Sequence, residues 1–170
     1  RSGNVVMTQD TVDAMYTAMA SVRQAHGDRR EGGQIVLYGG EPLDAANEPI
    51  VRYMVEQGRV RGFRFSTITN GHDIDRFLDL FGPGGIEQAQ VSIDGPERIH
   101  DTRRIALGPH KSYQRVVRNV NRLLDRADTL VQIRVHLDAS NVQYFEELLD
   151  DFTRSGWLGH PNLLVYANTV

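Results

Sequence analysis

The chain has 170 residues, 40% of them hydrophobic, and its 19 Lys plus Arg against 22 Asp plus Glu give a formal charge of -3 at pH 7. That length fits one domain burying roughly two-thirds of its unfolded surface, and the charge balance carries no polyphosphate-binding or membrane-surface signature, so neither nucleic acid nor membrane is an expected partner. Cysteine is absent, which removes disulfides, thiolate nucleophiles and cysteine-held metal clusters from what these residues supply; with no bilayer-length apolar run and no visible signal peptide, the default expectation is a cytoplasmic setting.

In chain order, Thr8 to His26 reads as a helix, with Val12, Met15, Met19 and Val22 at helical spacing behind candidate caps Thr8 and Asp10. The two methionines are core packing. Ile35, Val36 and Leu37 then form a strand that stops in Gly39, Gly40, Glu41 and Pro42. Proline ends the ladder, so Glu41 is presented at a strand tip, where parallel α/β folds place ligands. On these residues alone an ordinary turn with a solvated glutamate is an equal reading.

A helix is expected over about 47–57, closed by Gly58 in a left-handed cap. Gly62 to Thr69 reads as the second strand, ending in Asn70-Gly71, and Ile74 to Phe81 as a short amphipathic helix. The third strand, Gln90 to Ile93, ends in Asp94-Gly95-Pro96. Glu97 to Lys111 follows as a long connection holding Arg98, His100, Asp101, Arg103, Arg104 and His110; loops of that length are more often functional than ornamental. Helices at Tyr113 to Ala127 and Val142 to Arg154 flank a fourth strand, Leu130 to Asp138, and Asn162 to Val170 reads as a last strand.

This βα alternation opens on a helix and closes on a strand, so we expect a strand and its loop to be missing upstream. Two strands have one polar face: Gln90, Ser92 and Asp94 oppose Val91 and Ile93, and Gln132, Arg134, His136 and Asp138 oppose Val131, Ile133, Val135 and Leu137. A central strand covered on both sides would be apolar throughout. Helices on the outside and a wet, ligand-accepting inner face are therefore expected.

Several of these pieces, in their order and spacing, resemble the radical S-adenosylmethionine (radical SAM) family. They are Gly39-Gly40-Glu41-Pro42, Thr69-Asn70-Gly71, Ser92 to Pro96, His100-Asp101-Thr102-Arg103-Arg104 and Ser112-Tyr113. Within the family the chain is most similar to peptide- and protein-modifying maturases related to anaerobic sulfatase-maturating enzymes. The resemblance implies an α/β fold, a partial (β/α)6 TIM-like barrel of about strands two to six, with residues 1–170 as a partial core domain lacking its first strand, cluster loop and C-terminal domain.

It further implies S-adenosylmethionine across the strand tips beside a 4Fe-4S cluster on a CxxxCxxC loop, and radical chemistry on a peptide, protein or small molecule. No cysteine here matches that loop, so the chain alone is expected to be inactive, with neither catalytic nor metal-ligating residues of its own. Carried over by motif, Gly39, Gly40 and Glu41 meet the methionine ammonium, and Ser92 the ligand's polar end. Arg104 pairs with the ligand carboxylate, Asp94 meets a ribose hydroxyl or supports the loop, and Asn70 is a contact or a structural residue.

Arg134, His136 and Asp138 are substrate-side candidates, while His100 and Asp101 are read as fixing the long connection and Arg103 as a solvated neighbour of Arg104. The alternatives are a cluster-free binding module for a nucleoside-like ligand, a peptide or a partner protein, and, ranked last, a flavodoxin-like domain. An unpaired edge at Ile35 to Tyr38 leads us to expect self-association there.

Overall fold

The computed structural model of the protein describes residues 7–27, 32–104, 112–126 and 128–169. Helix α1 (Gln9–Ala25) starts at Thr8, whose hydroxyl accepts from the Thr11 N-H. Strand β1 (Gly33–Leu37), helix α2 (Glu48–Arg59) and strands β2 (Phe63–Thr69) and β3 (Ile86–Ile93) come next. Helices α3 (Glu97–Arg103) and α4 (Ser112–Arg126), strand β4 (Leu130–Leu137), helix α5 (Phe145–Arg154) and strand β5 (Leu163–Thr169) complete the order.

All five strands lie in one sheet, parallel to their neighbours, in the spatial order β1-β2-β3-β4-β5. When a sheet grows in one direction, right-handed crossovers put each connection on the same face, and the sheet curls toward a barrel. The core lies between that face and the helices: Phe65, Val91, Ile133 and Val135 are fully buried together with Val55, Val116 and Leu148. On the other face, parallel register lines up Gln90 with Gln132, and Ser92 with Arg134 and Tyr166. The expected division into a helix-covered apolar face and a polar inner face therefore holds.

Three local expectations are corrected. Gly58 is not a left-handed cap but lies inside α2; the positive φ falls at Gly62, at 73°. A Cβ on Gly58 would stand 2.3 Å from Phe65 Cζ and 2.7 Å from the Tyr16 hydroxyl, so close packing is what requires the glycine. Ile74 to Phe81 forms two 3-10 turns, Ile74–Arg76 and Leu78–Leu80, instead of an amphipathic helix. Arg52, reaching from α2, takes the Arg76 carbonyl at 2.6 Å and the Asp79 carboxylate at 2.6 Å, holding this segment against α2 in turns of i to i+3 bonds. The third is the long connection, whose first half is α3. It escapes periodicity analysis because its buried face is the polar His100. Residues 105–111, His110 among them, lie outside the described residues.

Candidate functional site

At the end of β1 the chain turns through Gly39 (φ 100°) and Gly40 (φ 55°), a conformation that side-chain-bearing residues rarely adopt. A Cβ at either would meet nothing within 4 Å, so backbone shape alone calls for glycine there. Glu41 follows. Its Oε1 accepts the Thr69 hydroxyl at 2.6 Å and the Leu43 N-H at 3.0 Å, and its Oε2 accepts the Asn70 N-H at 2.7 Å. One carboxylate thus ties the tip of β1 to the tip of β2. Asn70 closes its own turn by accepting the His72 N-H at 2.8 Å.

The tips of β3 and β4 carry a second set. Asp94, buried, takes the Arg104 guanidinium on both oxygens, Nε at 2.8 Å and Nη2 at 3.3 Å. His136 Nδ1 lies 3.5 Å from Asp94 Oδ1. Arg103 donates to Asp138 at 2.6 Å and to the Ser140 hydroxyl at 2.8 Å. Hydrogen bonds from Arg103, then from Ser140, hold the Asp138 carboxyl well below the usual carboxylate range. Arg103 is exposed to solvent, in line with its reading as a solvated neighbour of Arg104, and is paired there with Asp138 as well. Ser92 stands buried one step inside the same strand end.

Behind this set, His100 is fully buried, and burial pushes its pKa down to about 4. The Asp94 N-H donates to His100 Nδ1 at 3.3 Å, so the ring proton is on Nε2, which faces the Ser112 hydroxyl at 3.4 Å. Asp101 accepts the Tyr113 N-H at 2.9 Å. Together His100 and Asp101 bolt the start of α4 to the tip of β3, the fixing role read from the sequence. Asn141 was not anticipated. Buried, it donates to the carbonyls of Asp94 (2.8 Å) and His136 (2.6 Å) and accepts the Asp138 N-H (2.8 Å), locking two strand tips together. Its only sequence signal is its place in a polar turn after a strand.

Glu41, Asn70, Asp94 and Asp138 all follow carboxyl ends of adjacent parallel strands, with Ser92 just inside and Arg104 and His136 drawn to Asp94. Arg134 faces the same inner surface deeper in the sheet. Hydroxyl, guanidinium, carboxylate and free-turning backbone along one rim suit a zwitterionic ligand. A family model for the radical SAM superfamily matches residues 17–152. This chain belongs to the radical SAM superfamily.

Among solved structures, the radical SAM chain is similar to native anSMEcpe with bound AdoMet, at 17% identity and a TM-score of 0.68 over 95% of this chain and 42% of that one. Native anSMEcpe with bound AdoMet and Kp18Cys peptide matches at 17% identity and a TM-score of 0.68, over 95% and 43% of the two chains. The chain thus spans less than half the length of these structures, whose likeness establishes its fold as a partial radical SAM TIM-like barrel. No curated protein matches it. Among the described residues no helix is long and apolar enough to cross a membrane.

The residues present do not fit an iron-sulfur cluster. The sequence holds no cysteine, and among the described residues no group of three or more His, Asp or Glu is arranged to hold a metal ion. Cluster ligands would have to come from outside these 170 residues.

Proposed function

We propose that this radical SAM domain, residues 1–170 as one unit, binds S-adenosylmethionine across the strand tips as part of an enzyme that starts radical chemistry on a peptide, protein or small molecule. The observation that carries the reading is the shared rim: Gly39, Gly40 and Glu41 on one side, Ser92 and Asp94 on the other, at the carboxyl ends of parallel strands, with Arg104, at the end of α3, joined to it through Asp94. In this reading Glu41 acts mainly through the loop it braces, and the carbonyls of Gly39 and Gly40 accept the methionine ammonium. Ser92 and Arg104 take the carboxylate, with Arg104 sharing its fork between ligand and Asp94. Bound S-adenosylmethionine supplies the bond whose reductive cleavage yields the initiating radical.

The test is an amide NMR titration of the chain with S-adenosylhomocysteine. Saturable shifts confined to residues near 39–41, 92–94 and 104 are expected, and shifts elsewhere or none would overturn the assignment. A second reading, a cluster-free module that binds a SAM-like ligand or a peptide without catalysis, draws support from the lack of cysteine. Low-micromolar affinity by calorimetry without any cluster would favour it.

We also propose a cytoplasmic setting, and self-association through the edge of β1, which pairs only with β2 among the described residues. Val36 is 53% and Tyr38 76% exposed there, beside a groove of about 870 Å³ that runs from Met15 to Met54. Sedimentation velocity should show a dimer that Val36→Lys weakens; a monomer at all concentrations would contradict it.

A further inference from the structure

Unpaired polar groups share the inner face near the rim. Arg134 stands on β4 between Ser92 of β3 and Tyr166 of β5. Arg103 and Arg104 are paired with Asp138 and Asp94, but Arg134 has no hydrogen-bond or ion-pair partner among the described residues. Beside it, the Tyr166 hydroxyl donates to Gln90 Oε1 at 2.7 Å, which leaves the Gln90 amide nitrogen buried with nothing to donate to. Two residues further along β4, His136 points Nδ1 at Asp94 and keeps Nε2, an acceptor in the neutral ring, buried and unpartnered. A buried polar atom left unpaired costs about 1–3 kcal/mol, so two of them flanking an unpaired guanidinium, Gln90 one pair level below Arg134 and His136 one above, mark a place completed by something else. A guanidinium fork and an amide N-H on adjacent strands one pair level apart are complementary to a carboxylate reaching between them.

We propose that Arg134, Gln90 and His136 form a carboxylate-binding corner for the substrate, which accordingly carries an anionic group such as an acidic side chain or a C-terminus. Its assignment to the substrate rests on the strand-tip reading above, because the rim residues Ser92 and Arg104 already serve the carboxylate of S-adenosylmethionine. One carboxylate oxygen pair meets the Arg134 fork, one of those oxygens also takes the Gln90 N-H, and His136 borders the seat. Burial, then the positive charge of Arg134, push His136 below its ordinary value; Arg104 and Arg103 act the same way and Asp94 opposes them. An anion seated on Arg134 screens that neighbouring charge, so His136 reports occupancy by a rise in its titration midpoint.

The full chain is titrated with N-acetylglutamate amide and, separately, with its neutral isostere N-acetylglutamine amide, while the Arg134 Nε-H and the His136 ring are followed by NMR. The carboxylate should give saturable shifts at both groups and raise the His136 midpoint. Binding should weaken about ten-fold or more in Arg134→Gln, the loss of one charge-assisted fork, and in Gln90→Leu by a smaller factor. If Arg134→Gln does not fold by circular dichroism, the Gln90→Leu comparison decides.

Equal shifts with the neutral isostere, or undiminished binding in both folded variants, would overturn the site. So would loss of the response under saturating S-adenosylhomocysteine, since the methionine carboxylate would then be the occupant of Arg134. Shifts at Gly39, Gly40 and Ser92 with S-adenosylhomocysteine alone report on the strand-tip reading, so either idea can fail without the other.

Discussion

Lowering the pH from 7 to 4 is expected to remove about 3 kcal/mol of stability through His100 alone, on the order of what its fall from 6.5 to about 4 corresponds to. The sign follows from the direction of that fall. Between pH 6.5 and 4 the unfolded chain takes up a proton that the buried ring refuses, so stability is full above pH 6.5, declines through this window and is lost below about 4. The ring refuses it because protonation would place a charge in the core and would destroy the acceptor that Nδ1 offers to the Asp94 N-H.

His100→Asn keeps an acceptor near that position and has nothing to titrate. It should be less stable than the parent at pH 7 by about 1–3 kcal/mol, from lost ring packing against Tyr113. Its stability should also fall less steeply between pH 6.5 and 4, with the remaining slope coming from groups such as His136. Urea unfolding at pH 7, 5.5 and 4 measures both effects. A variant with the parent's slope would mean that His100 is already charged, or open to water, in the folded protein.

Glu41→Ala should lose about 2–4 kcal/mol, because three donors at the rim surrender a charged acceptor at once. They are the buried Thr69 hydroxyl and the N-H groups of Leu43 and Asn70. Glu41→Gln should lose about half as much, since its amide oxygen can satisfy only one side and its NH2 then faces a donor. Urea midpoints with unchanged slopes provide the measure. If Glu41→Ala unfolds within about 0.5 kcal/mol of the parent, the size of an ordinary surface substitution, the carboxylate is no brace. It would then be free to meet a ligand directly, as the motif resemblance implies.

The contrast between these two residues indicates how far the sequence carries. Val131, Ile133 and Val135 alternate with Gln132, Arg134 and His136, and that period of two reports directly which face is packed and which is wet. The end of β1 is equally legible, because two glycines and a proline around a glutamate leave the backbone few options. Partnership is what the sequence conceals. Glu41 meets Thr69 and Asn70 across 28 and 29 positions, and Asn141 meets Asp94 across 47, contacts that arise only once parallel strands align their ends. The helix α3 was hidden for a related reason: its core residue is a neutral histidine, which carries no hydrophobic signal although it is buried like a leucine. Gly58 shows the reverse error, a glycine near a helix end whose purpose lies in the packing of Phe65 and Tyr16 against it.

A crystal structure of the chain with S-adenosylhomocysteine tests the central claim most directly. The account predicts the amino-acid carboxylate within hydrogen-bond distance of the Ser92 hydroxyl and the Arg104 guanidinium, and the ammonium against the carbonyls of Gly39 and Gly40. A ligand seated instead on the helix side, in the cavity of about 520 Å³ between Pro96, Tyr113 and Glu147, would contradict it.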